Sequence, residues 1–272
     1  MAVWPIFSSW DSHEVFGYNP EKDDWSKLPE CPQRGFGLAV INDLITAVGG
    51  EVHGQYTNCL SSFSGGKWVT VFPPMPTKRR SPAVISAQNY LIAVGGLGVG
   101  VRLSTVEIMD MNTLEWYTAA SPPEPVHHMS ATVCGGRLYL LGGFDNNVRP
   151  THAVFTCTLD FLIRSCHPSS QTPPHTSEAN VWQCVADVPV LGFTCITFNG
   201  RVLTVGGEDS HGIHTAAIHM YNPDSDLWLV LGNIPTARFW CLVVGLRDYI
   251  IAVGGTGSYA VEVGYLQLSG GC

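Results

Sequence analysis

Tyr90-Leu-Ile-Ala-Val-Gly-Gly96 decides the fold, because the chain repeats it five times. The other versions are LITAVGG at Leu44–Gly50, RLYLLGG at Arg137–Gly143, RVLTVGG at Arg201–Gly207 and YIIAVGG at Tyr249–Gly255. The glycine pairs Gly49–Gly50, Gly95–Gly96, Gly142–Gly143, Gly206–Gly207 and Gly254–Gly255 follow one another at intervals of 46, 47, 64 and 48 residues. A tryptophan stands 24 to 27 residues before each pair, at Trp25, Trp68, Trp116, Trp182 and Trp228. A period of this size is the mark of a repeat architecture, in which each unit buries its apolar face only by stacking on its neighbours.

Within a copy, polar turns separate short apolar runs, and no helical period persists beyond about two turns. The third copy reads as strands Ser130–Cys134, Arg137–Leu141, Ala153–Leu159 and Val181–Val185, with one helical turn expected at Asp160–Ser165. A four-stranded antiparallel unit of this size cannot cover both of its faces alone. Radial stacking of such units gives an all-β propeller of four-stranded antiparallel blades. The glycine pair then supplies positive φ and close backbone approach. The tryptophan, with about 150–250 Å² of ring surface, is expected to be buried against the next blade.

The glycine doublets, the strands MDMNTLEW (Met109–Trp116) and MYNPDSDLW (Met220–Trp228), and the junctions PPMPTKR (Pro73–Arg79) and NIPTAR (Asn233–Arg238) resemble the kelch repeat. The likeness runs along essentially the whole chain. It implies a kelch β-propeller, a fold used mostly to bind other proteins. The jobs it implies are substrate recognition for a ubiquitin-ligase adaptor or binding of actin. A few kelch-like propellers are metal-dependent or carbohydrate-active enzymes, which stands as the alternative to a non-enzymatic module.

One propeller domain spanning residues 1–272 is expected, with a partial first blade over about 1–30 and an extended loop over 161–180 (FLIRSCHPSSQTPPHTSEAN). Glu14–Tyr18 and Asp24–Leu28 match third and fourth strands, and Ala260–Leu268 matches a third. Three strands, four sets of four and three more fall two short of six blades, so six with incomplete ends is expected, five being the alternative. The incomplete start leads us to expect that strands, and a BTB-like or other domain, belong upstream.

Charged residues make up 13% of the chain against 45% hydrophobic, and 14 Lys+Arg face 22 Asp+Glu. No basic excess suits nucleic acid, and no apolar run approaches the ~20 residues of a spanning helix. Nine scattered cysteines without metal or disulfide spacing suggest free thiols in the cytoplasm.

In an up-and-down blade, the turns after the second and fourth strands share one end. That end collects the turns beyond each glycine pair and the segments between copies. It holds the candidate partner-binding residues Arg34, Arg79, Arg80, Arg102, His127, His128, Arg149, His211 and Arg238. Planar guanidinium groups suit carboxylates, so a partner peptide with an acidic residue is the expected ligand; bracing of the blades is the competing role. No cofactor, metal or catalytic residue is assigned. The densest ligand-like group, His211, His214, His219 and Asp209, consists of ordinary turn residues. The run Gly95–Gly100 precedes a strand, which defeats a phosphate loop.

Overall fold

The computed structural model describes residues 6–7, 13–19, 22, 24–166, 182–246, 249–255 and 261–264. The expected pattern of strands is present: a three-stranded sheet, four four-stranded sheets, then another three-stranded sheet, each in sequential order. Antiparallel register runs through them, as in Ala83↔Val94 and Val94↔Val106 of the third sheet. The second strands, Leu44–Val48, Tyr90–Val94 and Arg137–Leu141, share one pattern, a half-buried first residue and then four buried ones. Such continuous burial explains why these strands are apolar runs rather than alternations.

The chain forms two compact units. The first takes in Met1–Met129, Phe144–Arg149 and Cys157–Gln183. It contains the first three sheets and two short ribbons, Glu51–Val52 with Gln55–Tyr56 and Leu97–Gly98 with Val101–Arg102. Its core joins the second and third sheets through Ile41, Leu60, Met75, Leu91 and Met109. The second takes in Ser130–Gly143, Pro150–Thr156 and Cys184–Cys272. There Phe198, Leu203, Ile218, Ile234, Val243 and Ile250 form the core between the last two sheets.

The doublet Gly95–Gly96 shows why glycine recurs. At φ +60° and +98°, it sits where a Cβ would come 2.2 Å from the Val126 carbonyl oxygen and 2.8 Å from that of Arg80. Gly96 N–H donates to Val126 O (2.8 Å) and Leu97 N–H to Arg80 O (2.7 Å). One doublet thus ties together the segments that enter and leave its repeat.

Two expectations of the tryptophans need correction. The tryptophans reach back to the preceding repeat, not forward to the next. Trp68, Trp116, Trp182 and Trp228 donate from Nε1 to the carbonyls of Pro29, Pro73, Ala120 and Ala186, at 2.9, 3.2, 2.9 and 2.9 Å. Each acceptor follows the last strand of the sheet before. Trp182 is buried, whereas Trp25, Trp68, Trp116 and Trp228 are half-buried, since they lie on outer strands. At the start of the extended loop 161–180, the helical turn expected at Asp160–Ser165 is a helix over Leu159–Arg164, with Leu159, Leu162 and Ile163 turned inward. The rest of that loop, 167–180, and the turn at 256–260 lie outside the described residues.

Candidate functional site

Three consecutive residues recur where one sheet passes to the next: Gln33-Arg34-Gly35, Arg79-Arg80-Ser81, Val126-His127-His128, Val190-Leu191-Gly192 and Arg238-Phe239-Trp240. The middle residue forms a backbone bridge to the residue after its doublet, in the pairs Arg34↔Glu51, Arg80↔Leu97, His127↔Phe144 and Leu191↔Glu208. The third residue is left-handed every time, at φ 59°, 52°, 56°, 59° and 54°. Only two of the five are glycine, so Ser81, His128 and Trp240 carry strain that the surrounding bonds hold in place. Ser81 N–H donates to Gly35 O and His128 N–H to Ser81 O; in the second unit Trp240 N–H donates to Gly192 O.

The first residue of each triplet points inward. Arg79 is fully buried. It donates to Gly95 O (2.8 Å), Thr105 O (3.1 Å) and Thr105 Oγ1 (3.2 Å), and pairs with Glu107 at 2.8 Å. Burial pulls its guanidinium below the usual arginine range, and the Glu107 charge and hydrogen bond work the other way. Glu107 also accepts from Thr77 Oγ1. Arg238, equally buried, donates to Gly254 O at 2.5 Å. Gln33 performs the same service with Gly49 O and Cys59 O at 2.7 and 3.0 Å. The placement of Arg79 and Arg238 among partner-binding residues is therefore corrected: their donors are turned to backbone carbonyls, and they brace the fold.

The second and third residues meet charged and aromatic neighbours. In the first unit, Glu51 is buried and accepts from Arg34 Nη2 at 2.5 Å, while Arg80 Nη1 lies 3.5 Å from its other oxygen. Arg80 crosses Gly35, where a Cβ would meet its Nε at 2.7 Å. Next to this triad, His127 and His128 approach through their Nδ1 atoms at 2.6 Å, and His127 stacks on Phe144 at 5.5 Å. Burial, then the neighbouring His127 and Arg80, push His128 down to about 3. Burial and Arg102 lower His127, against a smaller upward pull from Asp145. Arg102 donates to Asn146 O at 2.6 Å, and Arg149 is exposed. Asp145 accepts the backbone N–H groups of Arg149 and Asn147, which lowers its carboxyl.

The second unit presents different chemistry. Phe239 lies between His214, stacked 5.2 Å away with rings 2° from parallel, and Trp240 at 4.5 Å. Asp209 organises its own loop through the N–H groups of Ile213 and His211, leaving His211 exposed. His219 is buried on the strand Ala217–Asn222, apart in character from the exposed His211 and His214. Among the described residues no three His, Cys, Asp or Glu side chains are grouped to hold a metal ion. Phe144, Phe239 and Trp240 escaped sequence reasoning. The signal that would have found them is the alignment of the five triplets, which needs the doublet bridges to set its phase.

Successive antiparallel sheets of this order, all but the first carrying a glycine doublet, define a β-propeller. A family model described as Kelch motif matches residues 78–123. Kelch-like protein 35 of Mus musculus is 26% identical over 76% of this chain and 41% of its own length. Kelch-like protein 25 of Xenopus tropicalis is 25% identical over 82% and 37%, and alpha-scruin of Limulus polyphemus is 24% identical over 91% and 28%. The chain thus spans about two fifths or less of the length of these relatives. A solved structure, "Structure of YjhT", superposes with a TM-score of 0.69 over 96% of this chain and 93% of that one, at 14% identity, a likeness of fold alone. A kelch motif is thus matched at residues 78–123, and the chain is similar to kelch-like proteins over most of its length. No helix among the described residues is long and apolar enough to cross a membrane.

Proposed function

We propose that residues 1–272 act as one non-enzymatic propeller module that binds an extended acidic segment of a partner protein in the cytoplasm. The segment lies across the first unit's triplets. The observation that carries this reading is the charge left over there once Arg79 is committed inward. Arg34, Lys78, Arg80, Arg102 and Arg149 outnumber Glu51, Glu124 and Asp145 in a chain whose net charge is −8. Glu51 is buried and shared, and Asp145 is occupied by backbone N–H groups, so neither competes fully for the guanidinium faces. Phe144 offers an apolar edge beside them. Substrate recognition for a ubiquitin-ligase adaptor is the finer reading that the likeness to Kelch-like proteins supports; actin binding rests on the repeat resemblance alone. A random peptide library displayed on phage tests the proposal. Selected peptides should be enriched in Asp and Glu, and Arg80→Ala/Arg102→Ala should abolish the enrichment with an unchanged thermal melt. Enrichment without acidic residues would defeat it.

A further inference from the structure

Two imidazoles touch in the first unit, and the charges of two guanidinium groups act on them. His127 Nδ1 and His128 Nδ1 are 2.6 Å apart, so one ring donates and the other accepts, and a single proton lies between them. His127 is 4% exposed and clamped on Phe144, and its Nε2 is buried without a hydrogen-bond partner among the described residues. Whichever ring donates from Nδ1 leaves a bare lone pair at its own Nε2. The charges facing the pair come from three elements. Arg80 acts on His128 from its own triplet, Arg102 on His127 from the ribbon, and Asp145 on His127 from the following turn. Arg80 in turn faces Glu51, which Arg34 also holds.

We propose that an anionic group seated against Arg80 and Arg102 is captured together with a proton, which the His127–His128 pair takes up at the Nε2 of its donor ring. This rests on the reading that the first unit receives an acidic segment. Desolvation and two flanking cations exclude a second proton from the free pair. A carboxylate set over those cations cancels part of their field, and the pair becomes a cation that still shares its Nδ1 proton. A ligand that brings in a proton binds more tightly as pH falls, by at most about tenfold per pH unit, and the coupling is reciprocal.

The probe is acetyl-Glu-Glu-Glu-amide, added to the full chain between pH 7.5 and 5.5 and followed through the imidazole Cε1–H NMR signals. Its own carboxylates, ordinarily near pKa ~4.3, lose charge at lower pH and so work against the expected trend. Binding should be at least about threefold tighter at pH 5.5 than at 7.5, within the linkage limit, and saturation should raise the titration midpoint of the pair. His127→Gln/His128→Asn should lose the pH dependence, and acetyl-Gln-Gln-Gln-amide should show none. Peptide that binds equally at both pH values, with the histidine midpoint unmoved in the native chain, overturns the proton coupling and leaves the acidic-segment reading standing. No binding at any pH overturns both.

Discussion

The linkers Thr77–Ser81 and Pro125–Met129 have one backbone and two chemistries. In both, the first residue of the triplet accepts from a doublet N–H at 2.8 Å (Gly50 N to Arg79 O, Gly96 N to Val126 O), and the third is left-handed. Yet the first linker buries a guanidinium in an ion pair, while the second buries an isopropyl group and places two imidazoles behind it. The frame is held by main-chain bonds that need no particular side chain. The slot behind it takes arginine at Arg79, where Glu107 stands ready, glutamine at Gln33 and valine at Val126; the residue at the place of Glu107 in the next repeat is Phe155. Position therefore decides which residues brace and which face outward, and neighbours as close as Arg79 and Arg80 take opposite roles.

The largest expected effect comes from breaking the charged slot. Arg79→Met leaves Glu107 buried without its partner and should cost about 3–5 kcal/mol in urea unfolding. Arg79→Met/Glu107→Leu should recover most of that, and a single variant as stable as the native chain would show that Arg79 is not a brace. The frame itself should fail next. Gly96→Ala, at φ +98° and against the Arg80 carbonyl, should cost about 3 kcal/mol, against about 1 for Gly135→Ala, which has left-handed backbone and open space around it. Equal losses at the two positions would reduce the doublet to a matter of φ alone. Trp116→Ala, a half-buried ring with one hydrogen bond to Pro73 O, should cost about 3 kcal/mol, the low end for a large aromatic.

The imidazole linker differs from the arginine linker in pH response. His128 titrates near 3 in the folded chain, below its ordinary value of 6.5. The unfolded chain therefore binds more protons between those limits, and stability is kept above about pH 6.5 and lost as pH falls toward 3, at up to about 1.4 kcal/mol per unit. His128→Asn, which tolerates positive φ, should flatten that slope in pH-dependent melts. Arg80→Ala should be the mildest for folding, within about 1 kcal/mol, since its bond to Glu51 is long and partly exposed. A loss as large as that at Arg79 would erase the distinction between the two linkers.

Most of the fold was legible because the signals are local and repeated. Glycine doublets with apolar runs before them announce the second strands, and among the described residues three-stranded sheets stand at both ends. The helix Leu159–Arg164 lay within one residue of the expected turn, although its contribution of three buried residues was invisible without the sheet beneath. The face was legible only as a list. Arg34, Arg80, Arg102, Arg149, His127 and His128 belong to the first unit's linker and turn segments, but nothing in the letters distinguishes Arg79 from Arg80. The direction of the tryptophans was misread for a similar reason: the acceptor carbonyls lie 39 to 62 residues away in the chain.

By itself, then, the amino-acid order determined the repeat, the strands and the need for stacking, because each depends on spacing and on what a missing Cβ permits. Tertiary structure alone decided which cations are buried and which stay at the surface. That choice follows from desolvation: the Arg79 guanidinium enters the interior where the carbonyls of Gly95 and Thr105 and the carboxylate of Glu107 already wait for it, and those groups arrive from other strands.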